Sequence, residues 1–307
     1  MQYTFYTADV FTSQIFNGAQ IAVFPDAEGL EKHQMMAIAR ELNLSETVFI
    51  FKGDDSPDRR RIRIFSPHGE IDFGGHPTIA AAYILAHKGE IELKDPYTPI
   101  VLEQNTGPID VNISQNKGQP VFVQFSLQVE PIVDRFVPTE HELASFLSID
   151  EREIERKQYT ARLVSCGYPY LVVPVRSFEA VRNAKFDFAQ WSQSSAPQSA
   201  AQEILLFSNK TKVQNSDFHA RLLGPDIGVG EDPPVGSALP AFSSYLCSHE
   251  NLRKGTYTFA VDRGDERSRQ SVLNLEMDHK GKDRLTVRIG GEAVMVSEGV
   301  MTIPEDS

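Results

Sequence analysis

The segment Thr78–Ala86 reads Thr-Ile-Ala-Ala-Ala-Tyr-Ile-Leu-Ala, more than two helical turns without a charge. With Pro77 in the first turn and Lys88-Gly89 past the end, the pattern predicts a helix closing at His87. A helix that is apolar all round has no face to give to water, so it belongs inside other structure. A second stretch, from Pro233 to about Cys247, has the same character. Each follows a strand-like run, a Gly-rich turn and a Pro: FSPHGEIDFGGHPTIAAAYILAHKG in one half and RLLGPDIGVGEDPPVGSALPAFSSYLC in the other. Superposing the helix starts sets Gly74 opposite Asp232, and Gly75–Thr78 near Pro233–Gly236. The pattern leaves two explanations open. Either one domain plan is duplicated, each copy wrapping strands around a buried helix, or two unrelated helices happen to be buried.

The rest of the chain reads as short strands with few helices. Strand-like runs occupy Tyr3–Val10, Gln20–Phe24, Thr47–Phe51, Arg61–Phe65, Ile100–Glu103, Ile109–Ile113 and Val121–Leu127. Leu30–Asn43 carries apolar residues at helical spacing, with Asn43 as its C-terminal residue. In the second half, Thr139 and Glu142 form a capping-box pattern for a helix from about Glu140 to Leu147. Strands follow at Leu171–Val175, Ile204–Phe207 and Asp217–Leu223, with Trp191–Gln202 read as a helix end plus a flexible connection. Four more strands close the chain: Thr256–Val261, Ser271–Met277, Leu285–Ile289 and Ala293–Val296. A length of 307 residues agrees with two domains.

Charge and composition exclude several classes. With 42 acidic against 30 basic residues the net charge is −12, which disfavours nucleic acid and anionic membranes, because phosphate binding needs a basic field. It does not disfavour a small anionic substrate, since a helix terminus acts locally. No apolar run is long enough to span a bilayer, and the N-terminus lacks a basic start followed by an apolar core, so a cytoplasmic location is expected. Two cysteines, Cys166 and Cys247, make no disulfide framework, and no Cys/His spacing suggests a metal.

The chemistry that remains sits at the two helix starts. The first N–H groups of a buried helix lack intrahelical acceptors and carry partial positive charge, which suits a carboxylate or a developing oxyanion. Gly74-Gly75 and Gly228, Gly230 would let a ligand approach the backbone. His76 and Asp232 are the titratable groups there. A histidine beside a helix N-terminus is commonly a structural hydrogen-bonder; its functional reading is a neutral imidazole that donates or relays a proton. Asp232 and Ser237 have capping as their ordinary role, and Glu231 that of a first-turn charge. Glu46, where the Leu30–Asn43 helix meets the next strand, reads as solvated, and nothing in composition singles it out.

The segments NLSETVF, RIFSPHGEIDFGGHPT, GVGEDPPVGSA and RIGGEAVMVSEG, in this order from Ala8 to the last strand, resemble the PhzF-like (phenazine-biosynthesis) family. Its fold is that of diaminopimelate epimerase. The resemblance implies an α+β chain of two pseudo-symmetric domains, each a barrel-like sheet around a central helix, with the site between them. The expected domains are 1–127, joined by the last strand at about 292–307, and 128–291. Carried over residue by residue, the family's acid/base glutamate falls on Glu46, its histidine on His76, and its aspartate and serine on Asp232 and Ser237. Gly74, Gly75 and Gly236 would bind the substrate carboxylate or developing charge through backbone N–H groups. The implied enzyme is a cofactor-independent isomerase or epimerase acting on a small carboxylated metabolite, without metal or cofactor, and a homodimer.

This chain also departs from that pattern. Relatives read G-N-P-x-A-V where it has Gly18-Ala19-Gln20-Ile21-Ala22-Val23, and D-P-A-T-G-S where it has Asp232-Pro233-Pro234-Val235-Gly236-Ser237. A G-R-P-S pattern stands as Ser268-Arg269-Gln270-Ser271. These changes leave the acid/base set whole and argue for a substrate other than the phenazine precursor. They also keep a non-catalytic binding or interaction protein as the alternative. Related epimerases use a cysteine at each helix start, where this chain has Gly74 and Asp232; a thiol-dependent racemase would need Cys166 or Cys247 brought in from elsewhere.

Overall fold

The computed structural model describes the chain apart from residues 54–55, 95, 200, 226, 228–232, 250–251, 266–267, 281–284 and 305–307. The chain divides into two compact units, Met1–Leu127 with Arg288–Ser307, and Gln128–Val287. The first runs β1 Gln2–Val10, β2 Ala19–Phe24, α1 Lys32–Leu42, β3 Glu46–Lys52, β4 Arg59–Phe65, β5 Glu70–Ile71, α2 Gly75–His87, β6 Tyr97–Gln104, β7 Gly107–Asn116 and β8 Gln119–Val129. The second runs β9 Ile132–Asp134, α3 Glu140–Leu147, β10 Arg162–Ser165, β11 Pro169–Pro174, α4 Phe178–Asn183, α5 Phe188–Gln193, β12 Glu203–Ser208, β13 Phe218–Leu223, α6 Leu239–Cys247, β14 Gly255–Arg263 and β15 Ser271–His279. Then β16, Leu285–Gly291, leads into β17, Ala293–Thr302, which belongs to the first unit.

In unit 1, β1 lies antiparallel between β17 and β2. From there β2 pairs parallel with β3, β3 antiparallel with β4, β4 parallel with β6, and β6 antiparallel with β7. Unit 2 repeats the series: β10 lies antiparallel between β9 and β11, then come β11–β12 parallel, β12–β13 antiparallel, β13–β14 parallel and β14–β15 antiparallel. The helices repeat as well. A parallel pair needs a crossover; α1 supplies it between β2 and β3, and α4 with α5 between β11 and β12. The second crossover is α2 in one unit and α6 in the other. Identical strand order, sense and crossovers in both units are what duplication produces.

Alternation of side chains along a strand sends successive residues to opposite faces. In unit 1, Phe24, Phe49 and Phe65 pack with Met35 and Ile38 of α1 on one face. Helix α2 contacts β1, β2, β3, β7 and β17 and takes the other face. Every residue of α2 from Gly75 to Ala86 is buried, as a helix without a polar face requires. Each fully enclosed Ile or Leu here contributes about 1.5–3 kcal/mol of hydrophobic stabilisation.

Local signals are met closely where they are strong. The α1 helix ends at Asn43, whose φ of 49° is a left-handed cap that asparagine tolerates. The Thr139–Glu142 box closes on itself, Glu142 Oε2 accepting from the Thr139 N–H at 2.7 Å, and α3 spans Glu140–Leu147. Elsewhere the structure differs from expectation. The second apolar helix begins at Leu239 rather than Pro233, after a 3-10 turn at Gly236–Ala238. Pro240 explains this: it has no N–H for the Gly236 carbonyl and its ring would strike that carbonyl in a continuous α-helix, so it fits only in a first turn. The helix end expected at Trp191 is that of α5, a 3-10 turn at Ala196–Gln198 stands in the connection read as flexible, and α4 was not expected. Six-residue helices are too short to show a period; their signals are the caps Ser177 and Asp187, which accept from the N–H groups of Ala180 and Gln190.

Candidate active site

In unit 1 the approach to α2 is held by a buried amide. The Gly74 N–H donates to Gln104 Oε1 at 3.0 Å, and the Gln104 amide donates to Thr78 Oγ1 at 2.6 Å. The Thr78 hydroxyl and N–H both reach back to the Gly74 carbonyl, at 2.6 and 3.1 Å. Gln104 is therefore a functional candidate that the sequence reading missed. Its signal was present: Thr98, Ile100, Leu102 and Gln104 are the inward positions of β6, and the last is polar. The glycines serve close packing. A Cβ on Gly74 would lie 2.7 Å from Pro77 Cγ, and one on Gly75 would lie 3.0 Å from the Phe125 ring.

His76 is the second residue of α2 and is buried. Its imidazole and the Phe11 ring meet in a T-shaped arrangement, centroids 5.2 Å apart at 83°. Phe11 has a φ of 64°, a conformation that costs a non-glycine residue about 1–3 kcal/mol unless its surroundings impose it. They do: the N–H groups of Phe11 and Thr12 both donate to the Glu292 carbonyl, at 2.8 and 3.2 Å. Gly291 leaves room, since a Cβ there would come within 2.5 Å of the Phe11 ring.

Glu46 opens β3 and pairs with Ile21 of β2. Because Phe49 faces α1, Glu46, Val48 and Ile50 lie on the α2 face. Val48 pairs with Ile64, whose side chain lies 3.2 Å from where a Gly74 Cβ would stand. The register thus brings Glu46, Gly74, Gly75 and His76 to one end of unit 1. Although the residue as a whole is only half-buried, its Oε2 atom is sealed from solvent and has no hydrogen-bond partner. Desolvation raises the carboxyl above the ordinary glutamate range, and a hydrogen bond with Ser45 opposes this only in part. The solvated glutamate expected at this joint is thereby corrected: the chain turns it onto the central-helix face.

In unit 2, Gly236 and Ser237 belong to the 3-10 turn ahead of α6, and Ser237 caps neither that turn nor the helix. Ser237 is exposed. Asp232, Glu231, Gly228 and Gly230 lie outside the described residues. The cysteines are poor thiolates. Burial raises the Cys166 thiol, which sits 3.1 Å from Ser244 Oγ and 3.5 Å from the Pro240 carbonyl, and lifts Cys247 to about 11. A thiol-dependent racemase would need the reverse. Among the described residues, no group of His, Cys, Asp and Glu is placed to hold a metal, and no helix is long and apolar enough to cross a membrane. An open depression lined by Ser56, Asp58, Arg59, Pro99 and Asp110 contains none of the candidate residues.

The family model for phenazine biosynthesis-like proteins matches residues 8–299. The chain belongs to this family. An uncharacterized isomerase of Mesorhizobium japonicum is 33% identical over 297 residues, covering 96% of this chain and 97% of that one. The trans-2,3-dihydro-3-hydroxyanthranilate isomerase of Pseudomonas aeruginosa is 26% identical, covering 95% of this chain and 96% of that one. Among solved structures, a PhzF-family phenazine biosynthesis protein of Bacillus anthracis superposes with a TM-score of 0.86 at 22% identity, covering 99% of this chain and 100% of that one. A probable proline racemase from Agrobacterium radiobacter shares the fold at a TM-score of 0.63 and 13% identity, covering 99% of this chain and 93% of that one. This phenazine biosynthesis-like protein is accordingly an isomerase with the epimerase-type fold.

Proposed function

We propose that this isomerase moves a proton on a small carboxylated metabolite without a cofactor, and that Glu46 is its general acid and base. The observation that carries the reading is the enclosed, unpartnered Oε2 of Glu46 on the α2 face, with its carboxyl raised by desolvation. A carboxyl whose protonated form is favoured by desolvation can give that proton to one carbon of an unsaturated acid. The carboxylate so formed then takes a proton from another carbon of the same molecule. One C–H bond forms, one breaks, the double bond shifts, and Glu46 regains its proton. Backbone N–H groups at Gly75, Gly236 and Ser237 are assigned to the substrate carboxylate or the transient oxyanion, Gly74 to shaping the approach, and His76 with Asp232 to orientation and proton relay.

The test is solvent exchange in deuterated water over a panel of small unsaturated carboxylic acids, one of them trans-2,3-dihydro-3-hydroxyanthranilate, the compound in the name of the Pseudomonas relative, and the readout is taken on whichever member wild type turns over. Deuterium should enter the product carbon with wild type, and Glu46→Gln should lower the rate by about a hundredfold or more. Undiminished uptake in Glu46→Gln would remove Glu46 from this role.

A further inference from the structure

The segment from Phe11 to Gly18 joins β1 to β2 at the end of unit 1 where Glu46 lies. Glu46 pairs with Ile21 of β2, and the Ser45 hydroxyl donates to the Gln20 carbonyl at 3.3 Å. This strap is tied along its length. The Phe16 N–H donates to Oδ2 of the buried Asp9 at 2.6 Å, and the Gln14 N–H donates to Thr12 Oγ1 at 3.0 Å. Phe11, Phe16 and Gly18 all have left-handed backbone, with φ of 64°, 68° and 66°. Ser13, Gln14, Ile15 and Phe16 are exposed, whereas Phe11 turns inward and is only 2% exposed.

A glycine in place of Phe11 would adopt that backbone without strain and could still donate its N–H to the Glu292 carbonyl. The chain carries a phenylalanine instead and gives up a side chain beside it, because a Cβ on Gly291 would stand 2.5 Å from Phe11 Cδ1. Non-glycine residues held in this conformation gather at functional sites. Here the ring meets His76. Helix α2 fixes the backbone of His76 but leaves its side-chain torsions to be set by what the imidazole touches. A proton relay needs its nitrogen within about 2.6–3.2 Å of the partner atom, so an imidazole turned away cannot serve.

We propose that Phe11 is a positioning residue of this isomerase: the strained strap sets its ring, and the ring holds the His76 imidazole in the orientation used for proton relay. Phe11 acts through His76 and is assigned no contact with substrate. This rests on the reading of His76 as a relay.

The test has two arms, both on the full chain. The first is side-chain relaxation of isotope-labelled histidine, with the His76 signal assigned by its loss in His76→Gln. Its imidazole should be rigid in wild type, with an order parameter of about 0.85, and mobile in Phe11→Leu, below about 0.6. Leucine keeps an apolar side chain in the enclosed position without the ring; Phe11→Met is the second ring-free variant, and circular dichroism checks the fold of each. The second arm is a double-mutant cycle on the panel acid that wild type turns over. Phe11→Leu should lower kcat by about tenfold with KM nearly unchanged, and should add nothing in the His76→Gln background. An imidazole already mobile in wild type, or equally rigid in the ring-free variants, overturns the proposal. So does a loss of kcat by the same factor in both backgrounds, which a merely structural role would give. Full activity in His76→Gln, or no turnover of any acid by wild type, would instead overturn the relay reading beneath it, and the order parameters would still decide whether Phe11 holds His76.

Discussion

Replacing Glu46 by Gln should stabilise the protein at neutral pH while removing its activity. The carboxyl is raised by desolvation, so between pH 4.5 and its folded-state value the native protein holds a proton that the unfolded chain has released. Unfolding then releases protons, and stability falls as pH rises through that window. One proton gives a slope of up to about 1.4 kcal/mol per pH unit. Glutamine has nearly the same shape and does not titrate, so its own packing and hydrogen bonds add only a constant offset. The stability difference, variant minus wild type, should therefore climb with pH above 4.5 and level off at the folded-state value. Other carboxylates cancel because they are common to both proteins. The sole tryptophan, Trp191, lies in unit 2 and would miss the effect, so the readout should be native-state hydrogen exchange of the buried α2 amides from about pH 4 to about pH 8. A difference that stays flat, or falls with pH, would show that Glu46 is not desolvated and would remove the physical basis for its role as an acid.

Three further outcomes follow from the same geometry. Gln104→Ala orphans the Gly74 N–H and removes the donor to Thr78, so it should cost about 2–4 kcal/mol in chemical denaturation and lower turnover along with stability. Gly18→Ala should lower the melting temperature by the equivalent of about 2 kcal/mol or more, because φ is +66° and the new Cβ would stand 2.2 Å from the Val10 carbonyl oxygen. Glu70 is held at about 2, chiefly by its hydrogen bonds with Arg63 and with help from Lys32, against a smaller opposing effect of burial. Its depressed value means stability that is present above pH 4.5 and lost as pH falls toward 2. Glu70→Gln should cost about 1–2 kcal/mol at neutral pH, discounted for solvent screening near the surface, and almost nothing near pH 2, as urea titrations at the two pH values will show.

Much of the fold was legible in the sequence because the features that govern it are local. An apolar run such as Thr78–Ala86 cannot be exposed, and Asn43 and Thr139 mark helix boundaries through their own backbone and side-chain chemistry. The α2 start could likewise be located from Gly74, Gly75, His76 and Pro77. The short helix α4 and the start of α5 were not legible, since a single turn and a half carries no period. Nor was the true start of α6, where Pro240 overrules Pro233.

The motif resemblance pointed to Glu46, but composition and periodicity could not say why a glutamate at a helix–strand joint should be reactive. Sequence alone determined that two apolar helices must be buried and that each begins beside glycine and proline. Only the tertiary structure decided that Glu46 is desolvated and that Gln104 locks the Gly74 turn. The reason is that desolvation and strand register depend on which residues far apart in the chain become neighbours, and that information is absent from any single segment.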